Sequence, residues 1–295
     1  MAHGFIRSRD GSITTFDPQN SAGTTPNGNN STGWITGSYV DAQGVNHGFL
    51  RDPNGSFTIF DAPDAGAGQG QGTYGNSINA ARETVGIYID SNGVSHGLLR
   101  SPEGKITEFD PNGPGIGTVA NSGTLPCQGI TPAGVVAGSY HDPQGMVHPF
   151  VRAPDGTFTT FNIPGSQGAY PDAINAEGAM TGAYFTPVEV YNGYVRAPGG
   201  PITIFDDPDA GGASYQGTAG SGLNAAGQVV GVYFDSNNAL HGFVRSPRGK
   251  LTNFDCQDAG TGAGQGTVLN MNSPTGIAGW CTDQNNVSHG LLLLP

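Results

Sequence analysis

Histidine recurs along this chain at His3, His47, His96, His148, His241 and His289, with Asn192 filling one gap, in steps of 44, 49, 52, 44, 49 and 48 residues. Asp41, Asp90, Asp142, Asp235 and Asp283 each stand six residues before such a histidine. A carboxylate facing an imidazole can move protons, and histidine is also a common metal ligand. Equivalent groups placed one per repeat cannot converge on a single ion or substrate. In the fourth repeat both partners change together, Thr186 standing for the aspartate and Asn192 for the histidine. Such a paired loss is what a hydrogen-bonded structural staple predicts, since either partner alone would be left unsatisfied. The repeated Arg7, Arg51, Arg100, Arg152, Arg196 and Arg245, and Asp17, Asp61, Asp110, Asp206 and Asp255, read the same way, as groups that hold neighbouring sheets or cap strand ends. Tyr39, Tyr88, Tyr140, Tyr184 and Tyr233 of the Gly-x-Tyr motif read as packing between sheets.

Side chains that the repetition does not explain are better candidates for chemistry. His141 is an extra histidine beside Asp142, and Glu189 with Tyr191 lies in the deviant fourth repeat. With Tyr170 these are the acid or base candidates for β-elimination on an acidic sugar, while a pair of carboxylates would instead suit glycoside hydrolysis. Tyr74, Tyr170 and Tyr215, with Gln71, Gln216 and Gln265 of a recurring Gln-Gly-Thr, offer rings and amides suited to sugar faces and hydroxyls. Asp64, Asp209 and Asp258 of a repeated Asp-Ala-Gly could hold calcium, although their spacing matches neither an EF-hand nor a nonapeptide roll. No motif calls for any other cofactor. Residues 66–70 are glycine-rich but open no helix and precede no lysine, which excludes a nucleotide loop.

The elements that must position these groups are short strands. Residues 74–110 read as four of them, at 77–79, 84–89, 95–100 and 105–110, with Asn92-Gly93 and Pro102-Glu103-Gly104 closing the hairpins. A period near 48 residues with four strands per unit predicts an all-β fold, a six-bladed β-propeller using residues 1–295 as a single domain. The His-Gly strand occurs seven times against six of its neighbours, so the N- and C-terminal strands must close the ring together. The short hairpin at 283–286 favours the C-terminal copy for the last sheet, whereas the N-terminal copy keeps the arginine. Long loops between sheets, at 61–76, 110–128 and 206–221, differ from one another and form the face where a ligand would sit.

Fifty glycines and twenty-one prolines in 295 residues disfavour helices, and the Val, Ile, Phe and Tyr between them fall into regular runs that a disordered chain lacks. A net charge of -12, with Lys105 and Lys250 the only lysines, argues against nucleic acid. Leu291 to Leu294 is the longest aliphatic run, far short of a membrane span, and no signal peptide precedes the first repeat. Three cysteines, Cys127, Cys256 and Cys281, leave at least one thiol unpaired, and a bridge between Cys256 and Cys281 is open because both lie near strand ends.

At His-Gly-Phe-x-Arg, Pro-x-Gly, Thr-x-Phe-Asp, Ile-Asn-x-x-Gly and Gly-x-Tyr the chain resembles the bacterial probable extracellular repeat proteins of the HAF type, from His3 to Leu291. It carries glycine where that family's name has alanine. The resemblance implies a secreted or periplasmic propeller and gives no catalytic residue. The expectation is therefore a propeller that binds a glycan or other small extracellular ligand at the loop face. A carbohydrate-active enzyme at the same mouth is the alternative, and a protein-interaction scaffold the third. Oligomeric state does not follow from the sequence.

Overall fold

The computed structural model describes residues 1–111, 123–142, 145–273 and 275–294, with the side chains of 123–128 outside the description. Most of the loop 110–128, and the Cys127 thiol, thus lie outside the described residues. Among those described, the regular elements are strands alone. A hairpin of β1 (Gly4–Arg7) and β2 (Ile13–Phe16) precedes the first full repeat, β3 (Gly23–Asn29), β4 (Ile35–Val40), β5 (Asn46–Arg51) and β6 (Phe57–Phe60). The second comprises β7 (Gly72–Ile78), β8 (Thr84–Ile89), β9 (Ser95–Arg100) and β10 (Ile106–Phe109). The third comprises β11 (Gly123–Ile130), β12 (Val136–His141), β13 (Val147–Arg152) and β14 (Phe158–Thr160). The fourth runs through β15 (Gly168–Ile174), β16 (Met180–Phe185), β17 (Tyr191–Arg196) and β18 (Ile202–Phe205). The fifth is β19 (Gly217–Leu223), β20 (Val229–Phe234), β21 (Leu240–Arg245) and β22 (Leu251–Phe254), and the sixth β23 (Gly266–Ser273), β24 (Gly276–Thr282) and β25 (Ser288–Leu293). The chain forms two compact units, Met1–Met146 with Phe150–Thr159, and Val147–Pro149 with Thr160–Pro295.

Within a repeat the strands run antiparallel as a meander. The first strand of each carries a bulge, for example between Gly75 and Ser77 or between Pro171 and Ala173. Opposite that strand stands the glycine of Gly-x-Tyr, and a Cβ there would meet a carbonyl, at 1.9 Å from Tyr74 O for Gly86 and 1.9 Å from Tyr170 O for Gly182. The glycine of His-Gly serves the last strand, whose phenylalanine ring lies over it, so that a Cβ on Gly48 would come within 2.5 Å of Phe60. Phe49, Leu98, Phe150, Tyr194 and Phe243, one position further on, are the fully buried centres of the sheets.

Neighbouring repeats are joined by side chains that the sequence repeats faithfully. Arg51, Arg100, Arg152, Arg196 and Arg245 each lie over the last phenylalanine of the preceding unit, Phe16, Phe60, Phe109, Phe161 and Phe205, at 4.8 to 5.4 Å from the ring centre. Apolar cores bridge the same gaps, as where Leu50 and Phe60 pack with Ile78, Tyr88 and Leu98. The asparagine that follows the first strand of a repeat does a third job: Asn30 Nδ2 donates to Asn79 O at 2.9 Å, Asn79 Nδ2 to Thr131 O at 3.1 Å and Asn175 Nδ2 to Asn224 O at 3.1 Å.

The terminal strands pair differently from the expected merger. β1 and β2 form a two-stranded sheet of their own, and β25, the C-terminal His-Gly copy, pairs with β24, Cys281 opposite His289. The hairpin between them is short, Asp283 N–H donating to Val287 O at 3.0 Å, and a short loop closes at little entropic cost.

Candidate functional site

The histidines behave as staples, with more partners than the sequence suggests. The nearer carboxylate is the aspartate after the last phenylalanine of the same unit: His3 Nδ1 lies 2.6 Å from Asp17, His47 3.0 Å from Asp61, His96 2.8 Å from Asp110 and His241 2.8 Å from Asp255. The expected partner across the hairpin is further off, Nε2 to carboxylate being 3.4 Å for His47 and Asp41 and 3.8 Å for His96 and Asp90. Its second oxygen is occupied by the turn, as Asp41 Oδ1 accepts the N–H groups of Gln43 and Val45. Bonding to Asp110 holds the His96 imidazole above its ordinary pKa. The Gly-x-Tyr ring packs between sheets as expected, Tyr88 against Leu50 and Phe60 and Tyr233 against Phe205, and it also stacks on the histidine of its own sheet, at 4.8 to 5.0 Å for Tyr39, Tyr88 and Tyr233.

The glutamine amides are engaged in tying each loop to the next hairpin. Gln71 accepts from Gly68 N–H at 2.8 Å and donates to Ser91 O at 3.1 Å; Gln216 accepts from Ala213 and donates to Ser236 O; Gln265 accepts from Gly262 and donates to Gln284 O. Tyr74 lies on β7 rather than in a loop, its hydroxyl donating to Gly70 O at 2.9 Å. Among the described residues no three potential ligands gather as a metal site. Asp64 and Asp209 sit in turns whose N–H groups donate to Glu108 and Asp207, and Asp258 borders an open recess of about 500 Å³ with Asp283 and Asn285. His141 ends β12, and burial pushes its imidazole down despite the adjacent Asp142.

Three of the candidate tyrosines do converge, with a phenylalanine among them, all in the second unit. Tyr170 on β15, Phe185 at the end of β16, Tyr191 opening β17 and Tyr215 in the loop before β19 form a continuous row. Successive ring centres are 5.8, 6.5 and 6.4 Å apart. Register brings them together: Phe185 pairs with Tyr191 across the hairpin, and Tyr191 pairs in parallel with Gly217, two residues beyond Tyr215. Tyr215 is 60% exposed and the other three rings are half-buried. Desolvation pushes the Tyr170 and Tyr191 phenols up, and each also feels a nearby acid, Asp172 and Glu189 respectively.

The backbone of this row is strained at two points. Glu189 has φ 62°, at a turn position where other repeats place Gly44, Gly93, Gly145, Asn238 and Asn286. Tyr215 also has φ 62°, where the corresponding loops have Gly70 and Gly264. A bulky residue in the left-handed region is uncommon and costs on the order of 1–3 kcal/mol. The two strained residues touch: Tyr215 N–H donates to Glu189 O at 2.9 Å, and Ser214 Oγ donates to Glu189 Oε2 at 2.7 Å. Sequence reasoning found Tyr170, Glu189, Tyr191 and Tyr215 but missed Phe185 and Ser214. No signal in the sequence marks Phe185, since the same position holds Val40, Ile89, His141, Phe234 and Thr282 in the other units.

Similarity to solved structures bears on the fold. The BP39L lectin from Burkholderia pseudomallei matches with a TM-score of 0.58 at 10% identity, over 99% of this chain and 91% of that one. TolB from Acinetobacter baumannii matches at 0.54 and 13% identity, over 85% of this chain, which spans only 58% of the TolB chain. The fold is a β-propeller's. AofleA from Arthrobotrys oligospora is similar as well, at 0.51 with 12% identity, over 88% of this chain and 79% of that one. No protein-family model and no curated protein matches the sequence. Among the described residues no helix is long and apolar enough to cross a membrane.

Proposed function

We propose that this protein is a glycan-binding propeller of the HAF repeat type, its repeats closing as one ring of six blades, that holds sugar on the row Tyr170, Phe185, Tyr191 and Tyr215. The observation that carries this reading is the meeting of that row with two left-handed residues, Glu189 and Tyr215, at positions where other repeats place glycine or asparagine. Spaced aromatic faces stack on pyranose rings, and the free Glu189 oxygen accepts from sugar hydroxyls. A solved propeller of similar fold is a lectin, which is consistent with such a use. Tyr74, alone on its strand, is proposed as a weaker seat of the same kind. Export to an oxidising compartment is supported by the Cys256–Cys281 disulfide.

Binding is preferred over turnover because the acid–base candidates are poorly tuned. Phenols pushed up by burial stay protonated near neutral pH and so are not available as bases. Calorimetry and a glycan array with the intact protein, followed by mass spectrometry of the sugar, test this reading. A ligand bound by the protein, recovered uncut, and lost in the Tyr191→Ala, Tyr215→Ala double variant is expected. Retained binding in that variant would remove the row from the site, and new reducing or unsaturated ends would make the protein an enzyme.

A further inference from the structure

We infer that the ligand of the aromatic row is an amino sugar polymer, its protonated amines lying against Asp172 and Glu189; this rests on the row being the binding surface. Asp172 follows Tyr170 by two residues on β15, at the bulge between Pro171 and Ala173, and its charge is felt at the Tyr170 hydroxyl. Glu189 stands at the other end, and its charge is felt at Tyr191. The row therefore runs between two carboxylates.

Neither carboxylate is neutralised within the protein. Among the described residues Asp172 has no hydrogen-bond partner, and Glu189 has only the Ser214 hydroxyl on one oxygen. Among the described residues no arginine, lysine or histidine is felt at Asp172 or Tyr191. Arg196 and Arg245, the arginines of the neighbouring strands, are committed to Phe161 and Phe205. A desolvated carboxylate without a partner is costly, and the carboxyl of Asp172 is accordingly pushed up to about 7.

Comparison between repeats makes both acids specific to this one. At the bulge the first, second, fifth and sixth units carry Asn27, Asn76, Ser221 and Asn270, all neutral, where the fourth carries Asp172. At the turn they carry glycine or asparagine where the fourth carries Glu189. The repeat that lost its Asp–His staple thus gained two carboxyl groups without a cationic partner beside four rings. An ammonium supplies the missing partner at each, and aromatic faces attract it further. A uronate would add further negative charge, and an acetamido group would bring no positive charge to either carboxyl.

Calorimetry with the intact protein near neutral pH tests this, using glucosamine oligomers, their N-acetylated counterparts, galacturonate oligomers and a lysine oligomer as probes. Glucosamine oligomers are expected to bind about tenfold tighter than the N-acetylated form, with the preference lost in Asp172→Asn and Glu189→Gln. Galacturonate should not bind. Equal or tighter binding of the N-acetylated oligomer, still abolished by Tyr191→Ala with Tyr215→Ala, would overturn the amine inference and leave the row standing. Glucosamine binding that survives loss of both tyrosines would overturn the row itself. A lysine oligomer binding as tightly would replace the sugar by bare positive charge, and silence with every probe would overturn both readings.

Discussion

Glu189 and Tyr215 set two residues where glycine would be easier, and the cost should be recoverable. Glu189→Gly is expected to raise stability by about 1 kcal/mol while weakening glycan binding, read from denaturation midpoints and calorimetry together. A variant that gained stability and kept its affinity would show the strain to be idle. The staples make a separate prediction with pH. Bonding to Asp110 holds His96 above its ordinary value, so its stabilisation is complete below about pH 6.5 and is lost as pH rises through the higher folded value. Asp90 is held low by its turn N–H groups and side-chain partner, so its contribution is present above about pH 3.8 and fades as pH falls through the folded value. His96→Gln should therefore flatten the decline of the thermal midpoint between about pH 6 and about pH 8. An unchanged decline would assign the pH dependence elsewhere.

Strands and turns were the most legible part of the sequence, because glycine, proline and the alternation of Val, Ile, Phe and Tyr each act through local sterics. The step from Gly86 to Ala illustrates how tightly: a Cβ 1.9 Å from Tyr74 O forces the first two strands apart, and about 3 kcal/mol of destabilisation is expected by chemical denaturation. Asn79→Ala should cost about 2 kcal/mol, since the buried amide both accepts from Glu83 N–H and donates to Thr131 O of the next repeat. A loss within a few tenths would mean that water substitutes for the amide. What the sequence hid was distance across the sheet. The Asp six residues before each histidine was visible as a short-range pair, whereas the closer Asp61 or Asp110 lies 14 residues on and meets the ring only after two strands have folded back. The row of rings was likewise scattered, with Tyr170, Phe185, Tyr191 and Tyr215 belonging to four strands or loops. Only pairing of β16 with β17, and of β17 with β19, assembles it.

At the scale of the whole chain the repeats are bound mainly to their neighbours, which makes stability a sum of local joints. One joint is covalent: Cys256 and Cys281 take the places that Ala62 and Tyr88 fill in an earlier pair of units, and bridge 25 residues of sequence. Replacing both by serine should cost about 3 kcal/mol by denaturant titration. A midpoint unmoved by the change would show that packing alone suffices there. The other joints are noncovalent, and the offset of arginine over the preceding unit's phenylalanine governs how such a chain can vary. From each arginine to the phenylalanine of its own unit the count is always nine residues, while whole periods range from 44 to 52. Length therefore drifts in the connecting segments and is fixed at the clasp. A lineage of such sequences can gain or drop entire periods, or lengthen a loop, but an excision out of phase would strand a guanidinium with no ring beneath it.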